Sequence, residues 1–282
     1  MRRVILLVVM LMLCYLTACG NAPEQYDITE PNTVVYKETD TGELTLEILY
    51  PTKRVARRNP TVLVLHGGGW VSGSKDQFYR ELAPLCDALR ERGVTVVGVD
   101  YRLAMDGLTW RDCLADCEDA LAYLIGHAAE FDVDTDGIGI IGYSAGGHLA
   151  MMTAIETGDA AKLCVSLSGP VVFPTDADSP YYSEVLDYYC GLAFADSPSE
   201  RSDASPKTRL GRRCKSAFLL VGGTADDVVR PAHAEAMYAE AQELGMEAEL
   251  MLVEGLTHSY YSYEKAQSLG KELAGKIVQV IQ

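Results

Sequence analysis

Apolar positions recur with two different periods along the chain. "TVVYK" (33–37) and "ELTLEILYP" (43–51) alternate in the manner of half-buried strands, and the polar "ETDTG" between them predicts an antiparallel hairpin. Beyond residue 60 the pattern changes. Short, continuously apolar runs, "TVLVLH" (61–66), "VTVVGVDYR" (94–102), "GIGIIGYS" (137–144), "AKLCVSLSG" (161–169), "SAFLLVGG" (216–223) and "AELMLVEG" (248–255), have the length of buried strands. Between them lie segments of helical spacing: "KDQFYRELAPLCDALRER", "TWRDCLADCEDALAYLIGHAAEF", "AGGHLAMMTAIE" and "PAHAEAMYAEAQEL", with a closing helix from about Tyr260. Apolar strands separated by helices require a mostly parallel sheet covered on both faces. The pattern therefore predicts one α/β domain over residues 33–282.

Two stretches depart from this alternation. Residues 169–215, rich in Pro, Ser and Tyr, interrupt it after a strand; inserts at the carboxyl ends of parallel strands commonly cover a site, so a cap is expected here. At the amino terminus, "MRR" followed by "VILLVVMLMLCYL" has the charged and apolar regions of an export signal and is short for a membrane span. "LTAC", ending at Cys19, resembles a bacterial lipobox. That resemblance implies removal of residues 1–18, lipidation of Cys19 and anchoring to the cell envelope, with residues 19–32 as a polar tether.

Charge narrows the partners. The chain carries 24 basic and 40 acidic residues, a formal net charge of −16, and its longest basic run is "KRVARR" (53–58), read as a solvated loop. Nucleic acid needs a basic face, so it is not an expected partner. Six cysteines follow Cys19: Cys86, Cys113, Cys117, Cys164, Cys190 and Cys214. In an exported chain these could be buried thiols or one or two bridges, and spacing cannot choose. No histidine stands at metal-ligand spacing beside Cys113 and Cys117, so neither metal nor cofactor is expected.

Chemistry enters with "GYSAGG". Ser144 lies on the turn between a predicted strand and a predicted helix, with Gly142 and Gly146 at offsets of two residues. A serine there is either a helix cap or a nucleophile held on a sharp elbow. A nucleophile needs a base to take its proton and a carboxylate to orient that base. His258 in "VEGLTHSYY" and Asp226 in "GGTADDVVRP" both follow carboxyl ends of predicted strands, the edge where Ser144 lies. Asp227, adjacent, is the alternative acid; Asp226 is preferred. "HGGGW" (66–70) after the first parallel strand offers unhindered N–H groups to an oxyanion, and Gly68, Gly69 and Ala145 are the expected donors.

"HGGGW", "VDYRL", "GYSAGG", "GTADDVV" and "VEGLTHSY" stand in the order and spacing of α/β-hydrolase esterases. Their closest look is to the branch with hormone-sensitive-lipase-like and bacterial acetyl and feruloyl esterases. The resemblance covers the chain from the amino-terminal hairpin to its end. It implies an α/β-hydrolase fold and a serine carboxylesterase acting on short-chain or carbohydrate-linked esters, small or polymeric, through an acyl-enzyme. It also implies that His66 orients the glycine loop and that Asp100, Tyr101 and Arg102 serve structure. Asp227 stands where such families frequently carry proline, which bears only on the choice of acid. The same residues would serve an amide-cleaving peptidase or arylformamidase. A non-catalytic binding lipoprotein is the third reading, disfavoured because a binder needs none of the four parts. His148 is expected to pack or bond locally. Tyr181, Tyr182, Tyr188, Tyr189, Tyr260, Tyr261 and Tyr263 are expected either to stack on a sugar or aryl acid or to form the core of the cap.

Overall fold

The computed structural model describes residues 32–53, 58–194, 197–260 and 262–282. The leader, Cys19, the tether up to residue 31, residues 54–57 of the basic run and Tyr261 lie outside the described residues. Strands β1 (Asn32–Thr39) and β2 (Gly42–Leu49) form the expected hairpin, pairing Thr39 with Gly42 across a tight turn. Leu44, Leu46 and Ile48 of β2 are buried in alternation with more exposed residues. Asn32, assigned to the tether by sequence, already pairs with Ile48.

The parallel strands are β3 (Asn59–Leu65), β4 (Thr95–Val99), β5 (Val133–Tyr143), β6 (Leu163–Leu167), β7 (Ala217–Gly223) and β8 (Ala248–Val253). With the hairpin they form one eight-stranded sheet in the order β1-β2-β4-β3-β5-β6-β7-β8, in which only the β1–β2 and β2–β4 pairs are antiparallel. Helices α1 (Lys75–Glu91), α2 (Trp110–Gly126), α3 (Ala145–Thr157), α7 (Ala232–Glu243) and α8 (Ala266–Ile281) connect or close the strands. Between β6 and β7 lie three short helices: α4 (Glu184–Ala193), α5 (Pro198–Ala204) and α6 (Pro206–Arg209).

Phe78, Leu85 and Leu89 of α1 and Leu273, Ile277 and Ile281 of α8 share one core cluster with Val62, Val64, Ile141, Val165 and Leu219 of the strands. Leu63, Leu65 and Ile140, which alternate with these strand residues, are equally buried toward the layer that α2 and α3 supply. Two-sided burial is why the strand runs are continuously apolar rather than alternating.

Four features differ from the sequence reading. The closing helix starts at Ala266 rather than near Tyr260, and β5 starts at Val133, within polar sequence that pairs with Asn59. Helix α1 is kinked, with Leu82 at φ −121° and ψ 25°, because Pro84 lies inside it. The segment after β6, expected to be irregular, carries α4–α6. Ser183 and Ser197 cap the first two through their hydroxyls, and prolines open α5 and α6. All six cysteines that follow Cys19 are buried, and among the described residues no disulfide of the kind left open by spacing joins them.

Candidate active site

The carboxyl ends of β3, β5, β7 and β8 face one rim, and each delivers one part of the site. At the end of β5, Ser144 has φ 54° and ψ −121°, a left-handed conformation costly for a side chain bearing Cβ. The turn is too tight for neighbours larger than glycine. A Cβ on Gly142 would fall into the Gly146 carbonyl, and one on Gly146 into the carbonyls of Leu65 and His66. Ser144 makes no side-chain cap bond to helix α3; its N–H donates instead to Leu167 O at 2.9 Å. The cap reading of this serine is therefore the one the geometry excludes, and its Oγ is left free to turn elsewhere.

It turns to His258. Ser144 Oγ lies 3.0 Å from His258 Nε2, and His258 Nδ1 lies 2.9 and 3.1 Å from the two carboxylate oxygens of Asp226. A carboxylate only accepts, so Nδ1 carries the proton, and the neutral ring leaves Nε2 to accept from the Ser144 hydroxyl. The Asp226 side chain is fully buried while that of His258 is 20% exposed. Val228 N–H and Val229 N–H donate to Asp226 Oδ1 at 3.0 and 2.9 Å, which fixes the carboxylate against the ring. Asp227, the alternative acid, is exposed. Tyr143, the residue before the nucleophile position, donates its hydroxyl to the His258 carbonyl, and burial pushes that hydroxyl's pKa up so that it stays a donor.

The glycine loop stands beside this row. Gly68 and Gly69 have φ of 115° and 59°, and with Ala145, Ser144 and His258 they border a cavity of about 240 Å³. The N–H groups of Gly68, Gly69 and Ala145 make no hydrogen bond to a protein acceptor among the described residues. Three unsatisfied donors around a serine hydroxyl form a receptor for a negative oxygen. The Ser72 N–H and hydroxyl both donate to Gly68 O, at 3.0 and 2.9 Å, and hold the loop. His66 stacks on Tyr101 with centroids 4.0 Å apart, and Tyr101 donates to His66 O at 2.7 Å. Burial lowers the His66 pKa to about 4, so it remains neutral beneath the loop.

Below the rim, "DYR" acts as a brace. Asp100 accepts from Lys75 N–H and Nζ at 3.0 and 2.7 Å. Arg102 makes a two-pronged contact to the buried Asp116 at 2.8 and 2.9 Å, and Lys37 adds a third bond at 2.6 Å. Burial opposes the charge on Asp100 and Asp116, yet these donors hold both below the ordinary carboxylate range.

The insert meets the cavity through α4. Val185, Leu186 and Tyr189 line it, and the Tyr189 ring packs against Gly69, where a Cβ would collide with it. Ser183 Oγ donates to Val228 O at 2.6 Å and so ties α4 to the loop that carries Asp226. Of the tyrosines singled out in the sequence, Tyr189 reaches the cavity. Tyr188 is exposed, Tyr260 is buried with its hydroxyl 3.3 Å from Ser168 Oγ, and the Tyr181 ring is tilted against that of His233. Sequence reasoning missed Tyr143, Gln77, Glu81, Pro170, Val228 and Val229 as lining residues. Tyr143 and the two valines adjoin motif residues and could have been found; Gln77 and Glu81, on α1, give no local signal. Among the described residues no group of three His, Cys, Asp or Glu could hold a metal ion.

The sheet order, the strained elbow and the four carboxyl-end loops define an α/β-hydrolase. Residues 46–241 match the family model BD-FAE, and the chain belongs to that family. The matched segment contains Gly68, Gly69, Ser144, Ala145 and Asp226 and ends before His258. The chain is similar to a probable isoprenylcysteine alpha-carbonyl methylesterase of Oryza sativa subsp. japonica, 29% identical over 278 residues, covering 88% of this chain and 62% of that protein. It is also similar to an arylesterase of Saccharolobus solfataricus, 35% identical over 133 residues, covering 46% of this chain and 40% of that one. It therefore spans less than two thirds of either relative. The propionate-bound thermophilic esterase of Thermogutta terrifontis shares the fold, with TM-score 0.70, 24% identity, and 90% and 95% of the two chains covered.

Proposed function

We propose that this chain is a serine carboxylesterase. The observation that carries the reading is the hydrogen-bonded row Ser144–His258–Asp226, with Oγ–Nε2 at 3.0 Å and Nδ1–carboxylate at 2.9 Å. His258 takes the Ser144 proton as Oγ attacks the ester carbonyl; Gly68, Gly69 and Ala145 N–H groups receive the oxyanion. The imidazolium, stabilised by Asp226, returns the proton to the leaving alcohol. Water then gives a proton to His258 as its oxygen attacks the acyl carbon, and His258 passes that proton to Ser144 Oγ as the acyl–Oγ bond breaks and the acid leaves. No cofactor takes part.

The substrate we favour is an ester with a short or aryl acyl group, of the acetyl or feruloyl type, on a small alcohol or a carbohydrate. The cavity of about 240 Å³ supports this: Val185, Leu186, Val228 and Val229 are apolar walls, and Tyr189 is a flat face for a ring. Relatives named arylesterase and esterase support ester hydrolysis itself. We further propose export and anchoring through a lipid on Cys19, facing outside the cytoplasm, which rests on the leader's sequence alone.

Hydrolysis of nitrophenyl acetate, methyl ferulate, acetylated xylan and a matched nitroanilide by wild type and by Ser144→Ala tests the reading. Turnover of the esters by wild type and its loss in the variant are expected. Ester hydrolysis that survives the substitution removes Ser144 as nucleophile, and cleavage confined to the anilide replaces the esterase by an amidase. Metabolic labelling with an alkynyl fatty acid, lost in Cys19→Ala, tests the anchor.

A further inference from the structure

His148, expected to pack or bond locally, does more than fill space. It is fully buried on α3, one turn beyond Ser144, and its N–H donates to Ser144 O at 3.1 Å. Its ring is hydrogen-bonded at both nitrogens. Trp70 Nε1–H donates to Nδ1 at 3.0 Å, and Nε2 lies 2.8 Å from the carbonyl of Ala204. An indole N–H is only a donor and a carbonyl only an acceptor, so the ring is neutral, with its proton on Nε2. Burial, which lowers its pKa to about 4, keeps it in that form.

The partners matter more than the ring. Trp70 directly follows Gly69, and like Ser144 it is a non-glycine residue in the left-handed region, at φ 65°. Such a conformation persists only where surrounding contacts impose it. The imposed contacts here are the indole bond to His148 and the Ala104 N–H bond to Trp70 O at 2.8 Å. Ala204 ends α5 of the insert, and Phe173 and Phe194, also of the insert, pack edge-on or tilted against the Trp70 ring at 5.9 and 4.9 Å. One imidazole, carried on the helix behind the nucleophile position, thus bonds both the glycine loop and the insert. A leucine or phenylalanine would fill the volume without two buried polar atoms to satisfy.

We infer that His148 is a positioning residue, which, through the Trp70 indole, sets the amides of Gly68 and Gly69 at their working distance from Ser144 Oγ. This rests on the esterase reading above. An oxyanion pocket acts on the charge that develops in the transition state, so a displaced glycine loop weakens kcat while leaving substrate capture nearly unchanged.

Three single variants and one double variant test it: Trp70→Phe, which deletes the indole donor together with part of the buried ring; His148→Phe, which deletes both ring bonds; and His148→Gln, whose amide oxygen and nitrogen can replace acceptor and donor. For a short nitrophenyl ester, Trp70→Phe and His148→Phe are expected to lower kcat about ten- to a hundredfold with KM within about twofold, the loss that a misplacement of up to about 1 Å brings. Affinity for an arylboronic acid, which mimics the tetrahedral oxyanion on Ser144, falls by the same factor. His148→Gln recovers most of both, and the Trp70→Phe/His148→Phe double variant is no worse than His148→Phe. Unchanged kcat in Trp70→Phe and His148→Phe overturns the inference. So does a loss that follows the folded fraction by circular dichroism, with His148→Gln no better than His148→Phe. A wild type without Ser144-dependent ester hydrolysis refutes the underlying reading instead, and is recognised before any of these variants is compared.

Discussion

The elbow and the insert adjoin the same cavity but are built on opposite terms. From Gly142 to Ile155 nearly every residue is buried, and three glycines stand where a Cβ would meet neighbouring backbone. Helix α4 of the insert exposes Val185, Tyr188 and Leu192 at 47, 65 and 49% while sending Leu186 and Tyr189 toward the site. The elbow holds the group proposed to react; the insert is attached through a few bonds and exposes apolar side chains beside the cavity. Chemistry and selectivity are therefore separable by mutation.

The sharpest way to break this contrast is at the two adjacent aspartates. Asp226→Asn should lower kcat about ten-thousandfold, because an amide at that position leaves His258 in the wrong tautomer. Asp227→Asn, on an exposed carboxylate, should change kcat by less than about twofold. Steady-state kinetics of the pair decide between the acids, and the reverse pattern would reassign the role. Next comes the elbow backbone. Gly146→Ala should destabilise by about 1–3 kcal/mol in denaturant titration, since its methyl meets the carbonyls of Leu65 and His66 and the turn must open.

Stability against pH gives an effect of similar size spread over the molecule. Burial lowers the pKa of His66, His148 and His233 from 6.5 to about 4. Below pH 6.5 the unfolded chain binds protons that the native one refuses, so stability present at neutral pH is lost as pH falls toward 4, by at most about 3 kcal/mol per histidine. Asp100 and Asp116, held below the ordinary carboxylate range, add a further loss that begins near that range and continues below it. Thermal unfolding from pH 8 to pH 3.5 should show Tm level above about 6.5 and falling below it; a Tm flat down to pH 4.5 would contradict the sealed, neutral histidines. The smallest effect belongs to the insert surface. Tyr188→Ser should leave stability within about 0.5 kcal/mol, whereas Tyr189→Ala should leave Tm similar but shift preference away from aryl acyl groups.

The same contrast explains what could be read from residues alone. "GYSAGG" and "HGGGW" were legible because their backbones demand glycine: the left-handed φ of Gly68 and Gly69 and the contacts at Gly142 and Gly146 leave little other choice. The parallel strands were legible through two-sided burial. Helices α4 and α5 were hidden because the tyrosines and serines in and around them suggested loop, although Ser183 before the first and Pro198 at the start of the second are ordinary start signals. The kink at Leu82 follows from Pro84 but was submerged in a strong helical stripe. His148 was out of reach for another reason. Its partners Trp70 and Ala204 are 78 and 56 residues away, and no local pattern encodes a bond between segments that only the folded sheet brings together.

The central claim is that His258 makes Ser144 a nucleophile at this rim. Peptide mass spectrometry after exposure to an aryl phosphonate tests it most directly. The account predicts one phosphonyl group, on Ser144, rising in step with loss of ester hydrolysis and absent from His258→Ala over the same time. A label on another residue, or hydrolysis persisting once Ser144 is fully modified, would contradict it.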